Sequence, residues 1–151
     1  LTDRQLIDAL KEASQSGVKI KMIIRGICCI LPGIEGKTDN IEVISVVGRF
    51  LEHSRIFCFG TGENMKMYIA SADWMTRNTE NRVEIAAPIY DQKIKNSIYD
   101  TLRIMWKDNL KARILCSDGT YKKPEIKEGD ELIDCQNYLR HEYKVGRKIK
   151  L

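Results

Sequence analysis

Apolar residues recur along the chain in two periods, one typical of amphipathic helices and one typical of half-buried strands. A first helix is predicted to begin at a Thr2 cap and to end at Ser16–Gly17. Its apolar face consists of Leu6, Ile7, Leu10 and Ala13. Residues 19–24 then alternate apolar and polar side chains, which predicts a strand. A helix, a glycine turn and a strand in this order indicate an α/β unit with parallel pairing.

The middle of the chain is predicted to be rich in strands. A long loop at 26–40 contains Pro32, Gly33 and Gly36, and long loops that follow a strand often carry function. Further strands are predicted at 42–47, 55–59, 65–71, 83–87 and 112–116. The second of these is expected to start near His53 and to form a hairpin with the third, and the fourth is expected to stop at Pro88.

Two more helices complete the predicted fold. Residues 91–109 and 129–144 carry apolar stripes at helical spacing, and residues 117–128 form a turn-rich linker. We therefore expect one α/β domain with a mixed β-sheet flanked by helices.

Composition places the chain among ordinary globular proteins. Of its 151 residues, 43% are hydrophobic and 30% are charged, and the net charge is +4. This mild excess does not predict nucleic-acid binding but is compatible with a local anion site. No segment is long and apolar enough to span a bilayer, no secretory signal opens the chain, and the absence of an initiator Met suggests a fragment.

The five cysteines do not form a recognisable zinc pattern. Cys28 and Cys29 are adjacent, and neither a second pair nor a nearby histidine completes a site. No metal site is therefore assigned. Reduced, mostly buried thiols in a cytoplasmic protein are the interpretation that this pattern favours, with a redox role as the alternative.

Residues with catalytic chemistry concentrate around the predicted hairpin. His53 and Arg55 are two positions apart and share one strand face, and Ser71 and Asp73 lie at the end of the neighbouring strand. These four side chains are expected to converge. A histidine beside a cation and a hydroxyl suits phosphoryl transfer, because the imidazole can attack phosphorus or protonate a leaving oxygen. From spacing alone, a structural histidine remains the alternative.

Sequence motifs around these residues resemble those of known families. Phospholipase D-like enzymes carry H-x-K and then G-S-x-N, and the counterparts here are His53-Ser54-Arg55 and Ala70-Ser71-Ala72-Asp73. The replacements of Lys by Arg55 and of Asn by Asp73 disfavour a generic phospholipase or nuclease. Longer blocks resemble bacterial polyphosphate kinases of the phospholipase D-like type. These are residues 24–33 (IRGICCILPG), 43–55 (VISVVGRFLEHSR), 71–78 (SADWMTRN) and 82–84 (RVE).

The resemblance implies a function and a place within a larger enzyme. Residues 1–151 would be the carboxy-terminal phospholipase D-like domain, truncated at its start, of an enzyme that reversibly moves the terminal phosphate of ATP onto polyphosphate through a phosphohistidine on an upstream domain. His53 would be a second essential histidine, acting as proton donor or leaving-group partner. Arg25 and Arg82 would bind ATP phosphates and substrate, with Arg55, Ser71 and Asp73 in support.

The resemblance also implies cofactors, partners and a location. ATP is the substrate and Mg²⁺ a cofactor, although no residue here can be assigned as a magnesium ligand. The partners are ATP, ADP, inorganic polyphosphate and the other domains of the same polypeptide, with a homo-oligomer in the full-length enzyme and no nucleic acid. The location is cytoplasmic, either free or peripheral to the inner face of the membrane.

Other interpretations remain open from the sequence. A phosphodiesterase of the wider superfamily could act as a dimer that shares histidines, but it would need the Lys and Asn that are replaced here. A non-catalytic polyanion-binding module is the other alternative. Within the site, Glu52 and Asp73 either orient His53 or are paired with a neighbouring arginine. Trp74 either packs beneath the site or stacks on a base.

Overall fold

The computed structural model describes residues 1–146, and these form four α-helices, seven β-strands and one short 3-10 turn. The helices are α1 (Arg4–Gln15), α2 (Thr76–Thr79), α3 (Gln92–Lys107) and α4 (Cys135–Lys144). The strands are β1 (Ile20–Ile23), β2 (Ile41–Val46), β3 (Ile56–Phe59), β4 (Lys66–Ala70), β5 (Ala86–Ile89), β6 (Ala112–Leu115) and β7 (Tyr121–Lys122).

The main core is built around a four-stranded sheet in the order β1-β2-β6-β7. The β1–β2 pair is parallel, whereas β6 runs antiparallel to both β2 and β7. Successive side chains of β2 point to opposite faces, so Val43 packs in the cluster that includes Ile7 of α1, and Ile44 packs against α3 and α4. Helices thus cover both faces of β2, which is why all of its residues except Glu42 are buried.

A second, three-stranded antiparallel sheet has the order β3-β4-β5. Its β3–β4 hairpin turns through Gly60 and Gly62, whose φ angles of 79° and 63° favour glycine. Met65 and Met67 are buried at the turn end of β4, whereas Ile69 at the other end is 47% exposed. The sheet is therefore anchored at its turn end and open where β4 leads towards Ser71.

The structure confirms the mixed α/β class and corrects the prediction of a single sheet, because the hairpin forms a separate sheet with β5. The predicted strand at 83–87 is shifted to Ala86–Ile89 and includes Pro88. Proline is tolerated there because β5 is an edge strand, where a missing N–H need not break a ladder. The linker at 117–128 contains the short strand β7.

Helix boundaries also differ from the predictions. Asp3, not Thr2, caps α1, because its side chain accepts a hydrogen bond from the Leu6 amide at 2.9 Å. The last helix begins at Cys135 instead of 129, capped by Asp134. Among residues 1–146, no helix has both the length and the apolar character needed to cross a membrane.

Candidate functional site

Arg25 lies just after β1, where the loop at 26–40 begins, and its guanidinium joins two separate segments of the chain. Its Nη1 donates to the backbone carbonyl of Glu52. Its Nη2 lies 3.3 and 3.4 Å from the two carboxylate oxygens of Asp73, which follows β4. Its side chain remains 27% exposed. Arg25 therefore holds the segments before β3 and after β4 together while keeping part of its charge accessible.

Arg55 binds the same carboxylate as Arg25 does. Its Nε and Nη2 form a two-pronged contact with Asp73 at 3.1 and 3.2 Å. The hydrogen bond from Arg55 holds the pKa of Asp73 below its usual range, against the opposing effect of burial and with help from the charge of Arg25. Asp73 is therefore an ionised bridge between two arginines. The two arginines and one carboxylate leave one net positive charge.

His53 is oriented by Arg55. The Arg55 Nη1 lies 2.7 Å from His53 Nδ1 and 3.0 Å from the His53 carbonyl oxygen. An arginine can only donate, so Nδ1 must be the acceptor, and the neutral ring then carries its proton on Nε2. His53 itself is exposed. The site thus presents an imidazole of fixed tautomer with a donor nitrogen available to a ligand.

Ser71 belongs to an adjoining polar cluster and not to the His53 cluster. Its hydroxyl donates to Glu84 and accepts from the Ile85 amide at 3.0 Å. The other oxygen of Glu84 accepts from Asn78 Nδ2 at 2.8 Å. Hydrogen bonds from Ser71 and then Asn78 lower the pKa of Glu84, and the charge of Arg82 adds to this effect. The Ser71 hydroxyl is consequently occupied as both donor and acceptor.

The expected convergence is therefore found for three residues of the four. His53, Arg55 and Asp73 share one cluster, which Arg25 joins, and Ser71 lies in the neighbouring one. Arg82 is exposed, and its charge helps to lower the pKa of Glu84. His53 and Arg55 lie in the segment before β3 and not on a strand, so hydrogen bonds, rather than a shared strand face, bring them together.

The two carboxylates considered as partners of His53 have other roles. Asp73 pairs with arginines, and the Glu52 carboxylate accepts from Gln136 Nε2 at 2.6 Å. Trp74 stacks on Phe57, with ring centroids 4.9 Å apart. Nothing in the sequence pattern pointed to Gln136, which lies 84 residues away from Glu52. Glu84 could have been found from its position in the RVE block.

The carboxylates of the site are thus already held by arginines, a hydroxyl or amides. Within residues 1–146 there is no group of three His, Cys, Asp or Glu side chains that could hold a metal ion. The described residues therefore do not by themselves fit the Mg²⁺ that the family resemblance implies.

Comparisons with known proteins agree on one family. Residues 1–136 match the family model described as polyphosphate kinase C-terminal domain 2. A polyphosphate kinase from Thermosynechococcus vestitus is 51% identical over 130 residues, which is 86% of this chain and 18% of that protein. One from Bacillus anthracis is 51% identical over 136 residues, covering 90% of this chain and 19% of the relative.

A solved structure gives the same relationship. The crystal structure of polyphosphate kinase from Porphyromonas gingivalis superposes with a TM-score of 0.90 at 37% sequence identity, over 97% of this chain and 22% of that chain. The chain thus spans about a fifth of the length of the relatives that it matches.

Proposed function

The chain belongs to the polyphosphate kinase C-terminal domain 2 family, and we propose that it is a catalytic domain of an ATP:polyphosphate phosphotransferase, with the phospholipase D-like fold. The enzyme would transfer the terminal phosphate of ATP reversibly to inorganic polyphosphate. The acceptor histidine would lie on an upstream domain of the same polypeptide. The observation that carries this proposal is the Arg55-held imidazole of His53 beside a carboxylate shared by two arginines.

The cluster is suited to a phosphate-rich ligand. Guanidinium groups bind phosphate oxygens through paired hydrogen bonds and keep their charge at any physiological pH. Arg25 and Arg55 exceed Asp73 by one positive charge, and exposed Arg82 is a further cation whose charge is balanced by the ionised Glu84 beside it. ATP and polyphosphate would enter where these cations are accessible. The family resemblance implies that Mg²⁺ would be bound together with ATP.

His53 would stabilise the oxygen that leaves or attacks. In the forward reaction the bond between the γ-phosphorus and the β,γ-bridging oxygen breaks, the acceptor imidazole forms a new N–P bond, and ADP departs. A terminal oxygen of polyphosphate then attacks the same phosphorus, and the N–P bond breaks. The Nε2–H of His53 would donate to the bridging oxygen as its charge develops, while the arginines hold the non-bridging oxygens.

The test uses the full-length enzyme with His53→Ala and, as matched control, His141→Ala, which changes the other histidine on the exposed surface of α4. We expect His53→Ala to lower the rate of polyphosphate synthesis by about 10²- to 10⁴-fold, the usual effect of a positioned acid or base. His141→Ala should leave the rate unchanged. Mass spectrometry should find the phosphate upstream of this domain.

Two outcomes would contradict the proposal. Full activity of the His53→Ala enzyme would support a non-catalytic polyanion-binding module instead. A stable phosphate mapped to His53 itself would make His53 the acceptor and not the donor.

A further inference from the structure

We propose that Gln136 of α4 is a positioning residue for His53, acting through residues 48–52, the approach loop; the catalytic consequence rests on the proposed function. Gln136 is only 8% exposed. Its Oε1 accepts from the Phe50 amide at 2.9 Å, and its Nε2 donates to the Phe50 carbonyl at 2.7 Å and to the Glu52 carboxylate at 2.6 Å. The amide thus uses both of its N–H groups and its oxygen on this one loop.

Apolar burial does little to hold the approach loop. Phe50 is 46% exposed and Leu51 is 74% exposed, so neither side chain anchors the loop in a core. Three hydrogen bonds with a nearly buried amide replace that anchor, and breaking them would leave buried polar groups unsatisfied. Gln136 therefore holds the backbone of the loop at Phe50 and the side chain of the loop at Glu52.

The loop transmits this constraint directly to the site. The carbonyl of Glu52 accepts from Arg25, and the next residue is His53, whose ring and carbonyl both accept from Arg55. Gln136 fixes one end of this short stretch, and the two arginines fix the other end. Loss of Gln136 would free the Glu52 carboxylate and let the His53 backbone move relative to Arg55.

Gln136 is itself fixed by the core. Asp108, which ends α3 and is 2% exposed, accepts from the Cys135 amide at 2.8 Å at the first residue of α4. Its other oxygen accepts from the amides of Leu110, Lys111 and Ala112. Gln136 follows Cys135 directly, so its Cα position is determined by the packed helices and not by the loop that it holds.

Gly48 supplies an independent probe of the same contact. A Cβ at Gly48 would lie 2.9 Å from Gln136 Cδ and even nearer to Oε1, so the loop and the amide approach each other this closely only because the side chain is absent. The φ angle of Gly48 is not in the left-handed region, so an alanine there causes no backbone strain of that kind. Gly48→Ala therefore perturbs the contact with Gln136 and little else.

The experiment compares Gln136→Ala, Gly48→Ala and the double variant in the full-length enzyme. We expect each single variant to lower kcat per folded molecule by about tenfold to a hundredfold, because the catalytic group is displaced. The KM for ATP should change by less than about threefold, because the arginines that bind ATP remain. The double variant should be no slower than Gln136→Ala alone, because removing the amide removes the clash. A residue important only for stability would lower Tm without this loss of kcat.

Hydrogen exchange separates failure of this inference from failure of the proposed function. Peptides that contain the Phe50 amide should exchange at least about tenfold faster in Gln136→Ala than in the unaltered enzyme, whether or not polyphosphate is made. Unchanged exchange, or an unchanged kcat in Gln136→Ala where His53→Ala is inactive, would overturn the positioning role. If the losses of kcat in the two single variants multiply in the double variant, the direct contact between Gly48 and Gln136 is not the cause of the loss in Gly48→Ala.

Discussion

The four-stranded sheet and the candidate site are held together by different forces. Around the sheet, Val43, Val46 and Ile104 are each 1–2% exposed and pack between helices. Around the site, Leu51 is 74% exposed and Val83 is 99% exposed, and shared carboxylates and one buried amide set the geometry. Apolar burial therefore stabilises the fold in one region, while polar contacts determine precise positions in the other. Substitutions in the two regions should thus affect different measurements.

The largest expected effect is on polyphosphate synthesis, when residues 1–151 are assayed apart from the rest of the proposed enzyme. The chain spans about a fifth of its relatives, and the acceptor histidine is proposed to lie elsewhere. We expect purified residues 1–151 to give a folded circular dichroism spectrum, because the sheet region supplies its own core. We expect the isolated chain to bind polyphosphate weakly, and less as salt rises, because solvent and salt weaken the attraction of the exposed arginines for phosphate. We expect no synthesis of polyphosphate from ATP.

The full-length enzyme, assayed in parallel, is the reference for this measurement. Polyphosphate synthesis by the isolated chain at a rate near that of the full-length enzyme would contradict the proposed division of catalytic groups between domains.

Next in size is the loss of a buried side chain from the sheet region. Ile104→Ala should lower the free energy of unfolding of residues 1–151 by about 2–5 kcal/mol, because it removes buried methylene groups and leaves a cavity. Ile94→Ala on the same helix is the matched control, since Ile94 is 52% exposed, and should cost less than about 1 kcal/mol. Urea unfolding measures both. Equal losses would mean that α3 does not contribute its stability through the core.

A smaller effect is expected at Asp108, where the core holds a polar anchor. Burial alone would raise the pKa of Asp108, but hydrogen bonds from the amides of Cys135, Lys111 and Ala112 bring it below the ordinary value. Asp108→Asn should therefore cost about 1–3 kcal/mol of unfolding free energy at neutral pH. A lowered carboxyl pKa adds stability above the unfolded-state pKa, and this contribution is lost as the pH falls through the folded-state pKa.

The pH dependence gives the control for that prediction. Between neutral pH and about pH 4 the contribution of Asp108 to the free energy of unfolding should be constant, and it should disappear in more acidic solution. The difference in stability between the unaltered chain and Asp108→Asn should therefore narrow below about pH 4. A difference that stays the same down to pH 2 would show that ionisation of Asp108 is not its source.

The smallest expected free-energy change belongs to the site. Arg55→Lys keeps the positive charge but cannot bind both oxygens of Asp73 and His53 Nδ1 together. We expect kcat of the full-length enzyme to fall about tenfold, equivalent to about 1.4 kcal/mol, with Tm unchanged. Arg103→Lys is the matched control, because Arg103 forms an exposed ion pair with Asp100 on α3. Full activity of Arg55→Lys would show that charge alone is sufficient at this position.

The sequence predicted the parts of the molecule that depend on local pattern. The strand from Ile41 to Val46 and the hairpin through Gly60 have periodicity and turn residues that are visible within ten positions. The prediction that the last helix starts at residue 129 was wrong, because the Asp134 cap and a hydrogen bond from Cys135 to Asp108, 27 residues earlier, place the start at Cys135. The grouping into two sheets also depends on long-range pairing that periodicity does not encode.

The same distinction applies to the candidate site. The proximity of His53, Arg55 and Asp73 was expected from motifs that lie close in sequence. The occupation of Ser71 by Glu84 and of Glu52 by Gln136 was not expected, because hydrogen bonding between distant segments depends on side-chain orientations fixed only in the folded chain. The catalytic roles of all these residues stay predictions.

The proline in β5 affects how the three-stranded sheet behaves in solution. An edge strand offers free N–H and C=O groups to any other extended chain, and a flat apolar edge can start aggregation. Pro88 lies in the middle of that four-residue edge and has no N–H to donate. It interrupts the row of donors that an incoming strand would need. The domain can thus expose the apolar side chains of Ile69 and Ile85 next to its site while Pro88 disfavours aggregation through strand addition at that edge.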